Sequence, residues 1–255
     1  MNNYKSNKTI GIIDSGLGGY TYYSFLRKQF PEVSFTFCAD QAYVPFGNKT
    51  YEELMMITIK LVTWLQDQGA TSILVACNTI CSTVLPEIKL KFPNIKFGSV
   101  IDFTVQSIPE GIKELAVIGT KATIESQVYG ELLKGDVNRN VICIATPWLV
   151  DAIESRMDED DIALRLAQLR ETLKATSHLV LACTHYPIIK DIIEEVLEVV
   201  TIDGIEASKQ WVLDLEDLPY GESKVYTSGS KIVLREQVYD LFREIVEVND
   251  DDFEL

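Results

Sequence analysis

The chain has 255 residues, of which 47% are hydrophobic and 24% charged, a composition typical of globular proteins that bury a sizeable core. The formal net charge of −15 argues against nucleic acid and anionic membranes as main partners, because lysine and arginine are what bind phosphate groups. The first residues lack the pattern of a signal peptide, and no apolar run reaches the roughly 18 residues of a membrane-spanning helix, so we expect a cytoplasmic protein.

Short apolar segments alternate with amphipathic segments in the first part of the chain. The predicted strands are TIGIIDSG, VSFTFCAD, SILVA and IKFGSVID. The helices predicted between them are YTYYSFLRKQF, YEELMMITIKLVTWLQDQGA, which should end at Gly69, and STVLPEIKLKF.

The same alternation continues to the end of the chain. The next predicted strands are ELAVIGT, NVICIAT, HLVLA and TID, with helices ATIESQVYGELLKG, LVDAIESR, DIALRLAQLRETLKAT and IIKDIIEEVLEVV. SKIVLREQVYDLFREIVEV predicts a strand or loop edge and a last helix, and NDDDFEL a solvated, frayed end. The whole pattern is typical of βα units on parallel sheets, and therefore of the α/β class.

Two local matches indicate an internal repeat. IGIIDSG aligns with LAVIGTK and ILVACNT aligns with LVLACTH, so that Asp14 meets Thr120 and Cys77 meets Cys183. Both matches share one offset of 106 residues (120 − 14 and 183 − 77). We therefore expect two similar halves, each with a cysteine at the carboxyl end of an equivalent strand, where open α/β sheets bind their ligands.

The cysteines raise the question of thiol chemistry. They are Cys38, Cys77, Cys81, Cys143 and Cys183. Their odd number and irregular spacing argue against structural disulfides, and the lack of C-x-x-C together with only two histidines argues against a metal site. Cys38, Cys81 and Cys143 are interpreted as core packing.

Cys77 and Cys183 differ from the other cysteines because each follows a strand end at the start of a predicted helix. The helix dipole favours an anion there, so we expect a thiol pKa below the usual value of about 8.5. A redox pair stays open, but it needs the two sulfur atoms within bonding range.

Two further motifs place polar groups near strand ends. DSGLGG is neither a Walker loop nor G-x-G-x-x-G, and Asp14 would repel phosphate, so its carboxylate suits an ammonium group or the support of a nearby base. YVPFGNK is either a plain turn or a loop in which Gly47 and Asn48 donate hydrogen bonds to a carboxylate.

Three titratable residues lie in the second half. His185, two residues after Cys183, could act as an acid itself or shift the pKa of a neighbouring acid. Glu154 and Asp151 belong to one predicted helix, and the pattern alone does not separate a solvated face from a helper carboxylate.

The motifs DSGLGG, VPFGNK, ACNT, GTKAT and ACTHYP occur in this order between about residues 10 and 206. Together they resemble the glutamate racemases of the cofactor-independent aspartate/glutamate racemase superfamily. The resemblance implies two flavodoxin-like parallel-sheet domains related by pseudo-twofold symmetry, with the active site in the cleft between them. The implied domains are residues 1–98 with 208–255, and residues 99–207.

The resemblance also implies an activity: interconversion of L- and D-glutamate by two thiols, without pyridoxal phosphate, another cofactor or a metal. This reaction supplies D-glutamate for bacterial peptidoglycan. Cys77 and Cys183 would be the two acid/bases, with Asp14 assisting Cys77, and Glu154 and His185 assisting Cys183. The implied substrate contacts are Asp14, Ser15, Phe46, Gly47, Asn78, Thr79, Thr120, Thr184 and His185. A homodimer is compatible with the sequence.

Other activities fit part of the pattern. A relative that acts on another small acid, such as an aspartate racemase or a maleate isomerase, would share the fold and the cysteines. A non-catalytic two-lobed binder of an acidic metabolite would share the fold, but binding alone needs no thiol on each face. A thiol–disulfide oxidoreductase is disfavoured because C-x-x-C is missing.

Overall fold

The computed structural model describes residues 8–134 and 139–249. Its strands are β1 (Thr9–Asp14), β2 (Phe35–Ala39), β3 (Ala70–Val75), β4 (Lys96–Ser99), β5 (Glu114–Gly119), β6 (Asn140–Ala145), β7 (His178–Ala182), β8 (Val200–Ile202) and β9 (Lys224–Thr227). Its α-helices are α1 (Tyr20–Gln29), α2 (Tyr51–Asp67), α3 (Asn78–Thr83), α4 (Leu85–Lys91), α5 (Val100–Gln106), α6 (Lys121–Glu125), α7 (Val128–Leu133), α8 (Trp148–Glu154), α9 (Glu159–Ala167), α10 (Arg170–Leu173), α11 (Lys190–Leu197), α12 (Ile205–Leu213) and α13 (Lys231–Phe242).

The strands form two sheets in which neighbouring strands are parallel. The five-stranded sheet has the order β4-β3-β1-β2-β9, and the four-stranded sheet has the order β8-β7-β5-β6. Apart from the added β9, the second order repeats the first, with β5 in the place of β1 and β7 in the place of β3. This confirms the expected α/β fold with two similar halves, and the order is that of flavodoxin-like sheets.

The strand register brings the repeated motifs together at the carboxyl ends of the central strands. Ile13 of β1 pairs with Val75 of β3, so the residues that follow these strands emerge side by side. In the second sheet Gly119 of β5 pairs with Ala182 of β7 in the equivalent position. Each sheet therefore presents one cysteine next to the end of its β1-type strand.

Buried apolar strands and amphipathic helices hold the first sheet in place. Every residue of β1 and β2 is buried, which is typical of a parallel sheet covered on both faces. Helix α2 begins with a capping box, in which the Thr50 hydroxyl accepts from the Glu53 amide and the Glu53 carboxylate accepts from the Thr50 amide. As predicted, α2 ends before Gly69, which has a left-handed φ of 89°.

Several predicted elements of the first half have different bounds in the structure. The predicted helix STVLPEIKLKF is wrong as a single element, since the chain forms α3 from Asn78 and a separate α4 after Val84. The predicted strand IKFGSVID ends at Ser99, whose hydroxyl accepts a hydrogen bond from the Asp102 amide and starts α5. Capping by local side chains therefore overrides the apolar pattern at this point.

Helices of the second half are also shorter than their patterns. ATIESQVYGELLKG splits into α6 and α7 at Gln127, which has a left-handed φ of 60°, and Gly135 lies outside the described residues. DIALRLAQLRETLKAT splits into α9 and α10. IIKDIIEEVLEVV gives a 3-10 turn over Tyr186–Ile189, then α11, which ends at the left-handed Glu198.

The last part of the chain holds two elements that the sequence pattern missed. Helix α12 follows the expected TID strand, and the short edge strand β9 precedes SKIVLREQ, which is helical from Lys231 and contains no strand. Of the expected frayed tail, Asn249 is tied to β9 by hydrogen bonds with the backbone of Val225, and residues 250–255 lie outside the described residues. No helix in the described ranges is long and apolar enough to cross a membrane.

Candidate active site

A cavity of about 130 Å³ lies where the carboxyl edges of the two sheets meet. Its lining from the first half is Ser15, Val44, Pro45, Phe46, Gly47, Asn48, Cys77, Asn78 and Thr79, and from the second half Thr120, Lys121, Pro147, Val150, Asp151, Glu154, Cys183, Thr184 and His185. With the exception of Asp14, all the residues expected for the site line this one cavity. Asp14 is completely buried behind the wall.

The two cysteines reach the cavity from equivalent positions with different local structure. Cys77 follows β3 in an extended conformation and is the N-cap residue of α3. Cys183 follows β7, but His185 and a 3-10 turn come next, and α11 begins only at Lys190. The expectation of an α-helix start at both cysteines is therefore correct for Cys77 and wrong for Cys183.

The Cys77 thiol lies in buried and negatively charged surroundings. Its Sγ is 4.0 Å from Ser15 Oγ, and its side chain is close to the Asp14 carboxylate. Burial, and then the charge of Asp14, raise the pKa of Cys77 well above its usual value. The expected lowering of this pKa is wrong, because the amide hydrogen bond from Ile80 is weaker than these two effects.

Asp14 links the two halves beneath the cavity. Its Oδ2 accepts from the Gly19 amide at 2.5 Å and from the Thr184 hydroxyl at 3.4 Å. Its Oδ1 has no hydrogen-bond partner among residues 8–134 and 139–249. Burial raises the pKa of Asp14 to about 6, although His185 and the Gly19 amide favour the ionised form.

On the other wall, three titratable side chains form a chain of contacts. Cys183 Sγ lies 3.8 Å from His185 Nδ1, and His185 Nε2 lies 2.8 Å from Glu154 Oε1. Burial alone would lower the pKa of His185, but the hydrogen bonds and negative charges of Cys183 and Glu154 raise it well above its usual value. Glu154, rather than the exposed Asp151, is thus the carboxylate that contacts the histidine.

The expected substrate contacts include hydrogen bonds that cross between the halves. Thr79 Oγ1 lies 3.0 Å from Thr120 Oγ1, and Thr120 also caps α6 by accepting from the Thr123 amide. Asn78 Oδ1 accepts from the hydroxyl of Tyr129 at 2.7 Å. Hydroxyl and amide groups from both halves therefore face the same space as the two thiols, an arrangement that can hold a polar small molecule.

The DSGLGG turn packs against the opposite wall at very short range. A Cβ atom at Gly18 would lie 2.4 Å from Thr184 Oγ1 and 2.5 Å from His185 Nδ1. At Gly19 it would lie 2.4 Å from Asp14 Cβ. The glycines of this motif thus allow the first half to contact Thr184 and His185, the two residues that follow Cys183.

Some lining residues were missed by the sequence reasoning. Lys121 follows Thr120 in the GTKAT motif, and Pro147 and Val150 come shortly after β6. The rule that ligands bind at the carboxyl ends of strands could have identified all three. Nothing in the sequence pattern distinguishes Tyr129 from an ordinary buried helix residue.

Comparisons with known proteins identify the family of the chain. The Asp/Glu/Hydantoin racemase family model matches residues 22–210. A glutamate racemase from Aquifex aeolicus is 33% identical over 216 residues, which cover 84% of this chain and 84% of that protein.

Two solved structures extend the similarity to the fold. Glutamate racemase from Francisella tularensis in complex with D-glutamate aligns with a TM-score of 0.86 and 25% identity, covering 97% of this chain and 99% of that chain. Glutamate racemase from Thermus thermophilus in complex with β-chloro-D-alanine aligns with a TM-score of 0.82 and 29% identity, covering 96% of each chain. The chain therefore belongs to the Asp/Glu/hydantoin racemase family and is an enzyme of the isomerase class.

Proposed function

We propose that this chain interconverts L- and D-glutamate by moving the α-proton between two thiols. The observation that carries the proposal is that Cys77 and Cys183, one from each sheet, line one cavity. Similarity to proteins named glutamate racemase, one of them in complex with D-glutamate, supports glutamate as the substrate.

The chemistry requires an acid and a base on opposite faces of one carbon. One cysteine, as thiolate, takes the α-proton and becomes a thiol, while the bond electrons stay on the carbon. The other cysteine, as thiol, gives its proton to the opposite face and becomes a thiolate. Since the α-proton is far less acidic than a thiol, the site must stabilise the carbanion with fixed charges and hydrogen-bond donors.

We further propose that each thiol has its own helpers. Asp14 would assist Cys77, and His185 with Glu154 would assist Cys183, in line with the contacts described above. The proposed substrate contacts are Ser15, Phe46, Gly47, Asn78, Thr79, Thr120, Thr184 and His185, all of which line the cavity. Asp14, also expected to contact the substrate, is wrong as a direct contact because it is buried behind the wall, and it remains only as the proposed helper of Cys77. The reaction would need no cofactor or metal from outside the chain.

The wider setting is part of the same proposal. The two sheets would be the cores of two domains, residues 1–98 with 208–255 and residues 99–207, which close over the substrate and exclude water. The enzyme would act in the cytoplasm and supply D-glutamate for peptidoglycan, as a monomer or a homodimer.

A deuterium-exchange assay tests the proposal. The protein is incubated with L-glutamate in D₂O without pyridoxal phosphate, and optical rotation and α-deuterium are followed. We expect loss of rotation with uptake of one α-deuterium. No exchange with glutamate would overturn the proposed substrate, and exchange with aspartate instead would identify a relative that acts on that acid.

Variants of the two cysteines test the mechanism. Cys77→Ser and Cys183→Ser should each abolish racemisation, because a serine hydroxyl is a much weaker acid than a thiol. Each variant should exchange at most one enantiomer slowly. Cys143→Ser is the control and should keep full activity, because this thiol lies outside the cavity and is exposed, so the core-packing interpretation is wrong for Cys143. Full racemisation by either site variant would exclude the two-thiol mechanism.

A further inference from the structure

Tyr129 does not line the cavity, but its hydroxyl contacts a residue that does. It lies on α7, where it is 1% exposed, and it donates a hydrogen bond of 2.7 Å to Asn78 Oδ1. Asn78 is 4% exposed and lines the cavity next to Cys77. This buried hydrogen bond is the feature from which the inference starts.

The contact decides which end of the Asn78 amide faces the cavity. A carboxamide carries an acceptor oxygen at one end and two N–H donors at the other, and its orientation follows from its hydrogen-bond partners. Within the described part of the chain, the bond from Tyr129 is the one hydrogen bond of this side chain. With Oδ1 turned to Tyr129, the two N–H donors are the end left for a ligand in the cavity.

We propose that Tyr129 is a positioning residue, which holds the Asn78 amide so that its NH₂ group donates to a carboxylate of the substrate. This inference rests on the proposed function, since glutamate supplies the carboxylate. Without the Tyr129 hydroxyl the amide can rotate and direct its oxygen toward the carboxylate, where the two acceptors repel each other.

The hydrogen bond also joins the two halves. Tyr129 comes from the segment between β5 and β6, whereas Asn78 follows β3 of the other sheet. The hydrogen bond between Thr79 and Thr120 also joins the two halves. The donor on Asn78 is therefore directed into the cavity only when the halves have the arrangement seen here, so ligand binding and that arrangement favour each other.

The first test is Tyr129→Phe in the full-length protein, which keeps the ring in the core and removes only the hydroxyl. A hydrogen bond of this kind predicts about a ten-fold lower affinity for D-glutamate by calorimetry and a similar rise in KM, with kcat much less affected. Tyr20→Phe is the matched control, because Tyr20 is equally buried and donates to Glu244, and neither residue lines the cavity. Unchanged KM in Tyr129→Phe, or an equal change in Tyr20→Phe, would overturn the proposal.

Two variants of Asn78 separate positioning from general packing. Asn78→Asp replaces the donor end by an acceptor and should lose D-glutamate binding, whereas binding as tight as in the wild type would mean that an acceptor faces the cavity. In the Asn78→Ala background, adding Tyr129→Phe should have no further effect on KM, while an undiminished effect would contradict the proposal. If the wild type neither binds nor racemises glutamate, the proposed function itself fails. If the wild type does both and only the Tyr129 results disagree, the positioning role alone fails.

Discussion

The two sulfur atoms in the cavity have different electrostatic neighbours. Cys77 faces the Asp14 carboxylate, whereas Cys183 faces the His185 imidazole, whose own pKa is raised. The sheets repeat each other, but Asn78 and Thr184, or Thr79 and His185, occupy matching places with different chemistry. In the proposed reaction the two enantiomers would therefore meet unlike acid/base groups, and the two cysteine variants should differ in which enantiomer they still exchange.

Glu154→Gln should lower the pKa of His185, because it removes the negative charge that lies 2.8 Å from Nε2. The chain has only two histidines, so the titration of the ring protons can be followed by NMR, with His178→Gln used for assignment. Asp151→Asn is the matched control and should cause a much smaller shift, since Asp151 makes no hydrogen bond to His185. Equal shifts in the two variants would contradict the assignment of Glu154 as the partner.

Asp14→Asn should change how stability depends on pH. Burial raises the pKa of Asp14 from its ordinary 3.8 to about 6, so the folded state holds this proton in a range where the unfolded state has lost it. As pH rises from about 4 to about 6, this group therefore reduces the free energy of unfolding, by about 3 kcal/mol in total.

The measurement is urea unfolding of both proteins between about pH 4 and pH 8. The stability of Asp14→Asn relative to the wild type should increase with pH up to about 6 and then remain constant. A difference that is independent of pH, or one that decreases, would show that Asp14 is ionised in the folded protein throughout.

For single residues, the sequence predicts where a side chain lies better than it predicts its pKa or its contacts. The strand-end rule and the offset of 106 residues (183 − 77) identify Cys77 and Cys183. The direction of the Cys77 pKa could not be predicted, because it depends on burial and on a carboxylate from another strand. The proposed role of Tyr129 likewise depends on a contact between residues 51 positions apart.

Among the described glycines, Gly18 and Gly19 in the turn between β1 and α1 leave the least space for a Cβ atom. Gly18→Ala would place Cβ 2.4 Å from Thr184 Oγ1, so either the turn or the cavity wall has to move. We expect a loss of about 1–3 kcal/mol in stability and a larger loss in kcat/KM, because displacement of the wall by about 1 Å can cost about a hundred-fold in rate.

Gly130→Ala in α7 is the matched control, since its Cβ would meet nothing within 4 Å. It should raise stability by up to about 1 kcal/mol, because alanine favours the helix, and leave activity unchanged. Thermal unfolding and steady-state kinetics on both variants decide the matter. A Gly18→Ala variant with wild-type stability and activity would mean that the turn has space to adjust.

Element type was predictable from the sequence wherever the pattern was long and uninterrupted. Helix α2 and the buried strands β1 and β2 match their predicted segments. Elements were divided or missed where local backbone conformation decides, as at Gln127 and Val84, or where a strand is short and lies at an edge, as β9 does. Periodicity does not report these features, because it averages over more residues than they contain.

For the whole molecule, the net charge of −15 opposes the approach of an anionic substrate. We expect kcat/KM for glutamate to rise when ionic strength increases from about 10 mM to about 150 mM, since salt screens this repulsion. Lys121→Gln, which removes a positive charge from the cavity rim, should lower kcat/KM at low salt and steepen the increase. A kcat/KM that falls with added salt would mean that the local positive groups outweigh the net charge.

The edge strand β9 has a consequence for the order in which the molecule can be completed during its synthesis. The four-stranded sheet is contiguous in the chain, from β5 to β8, and all its strands are available once residue 202 has left the ribosome. The five-stranded sheet has four strands by residue 99, but β2 stays without its outer neighbour until residues 224–227 emerge. From residue 99 to residue 224, about half of translation, the β2 edge of the sheet that carries Cys77 therefore stays open to other nascent chains, until β9, the last strand to be made, covers it.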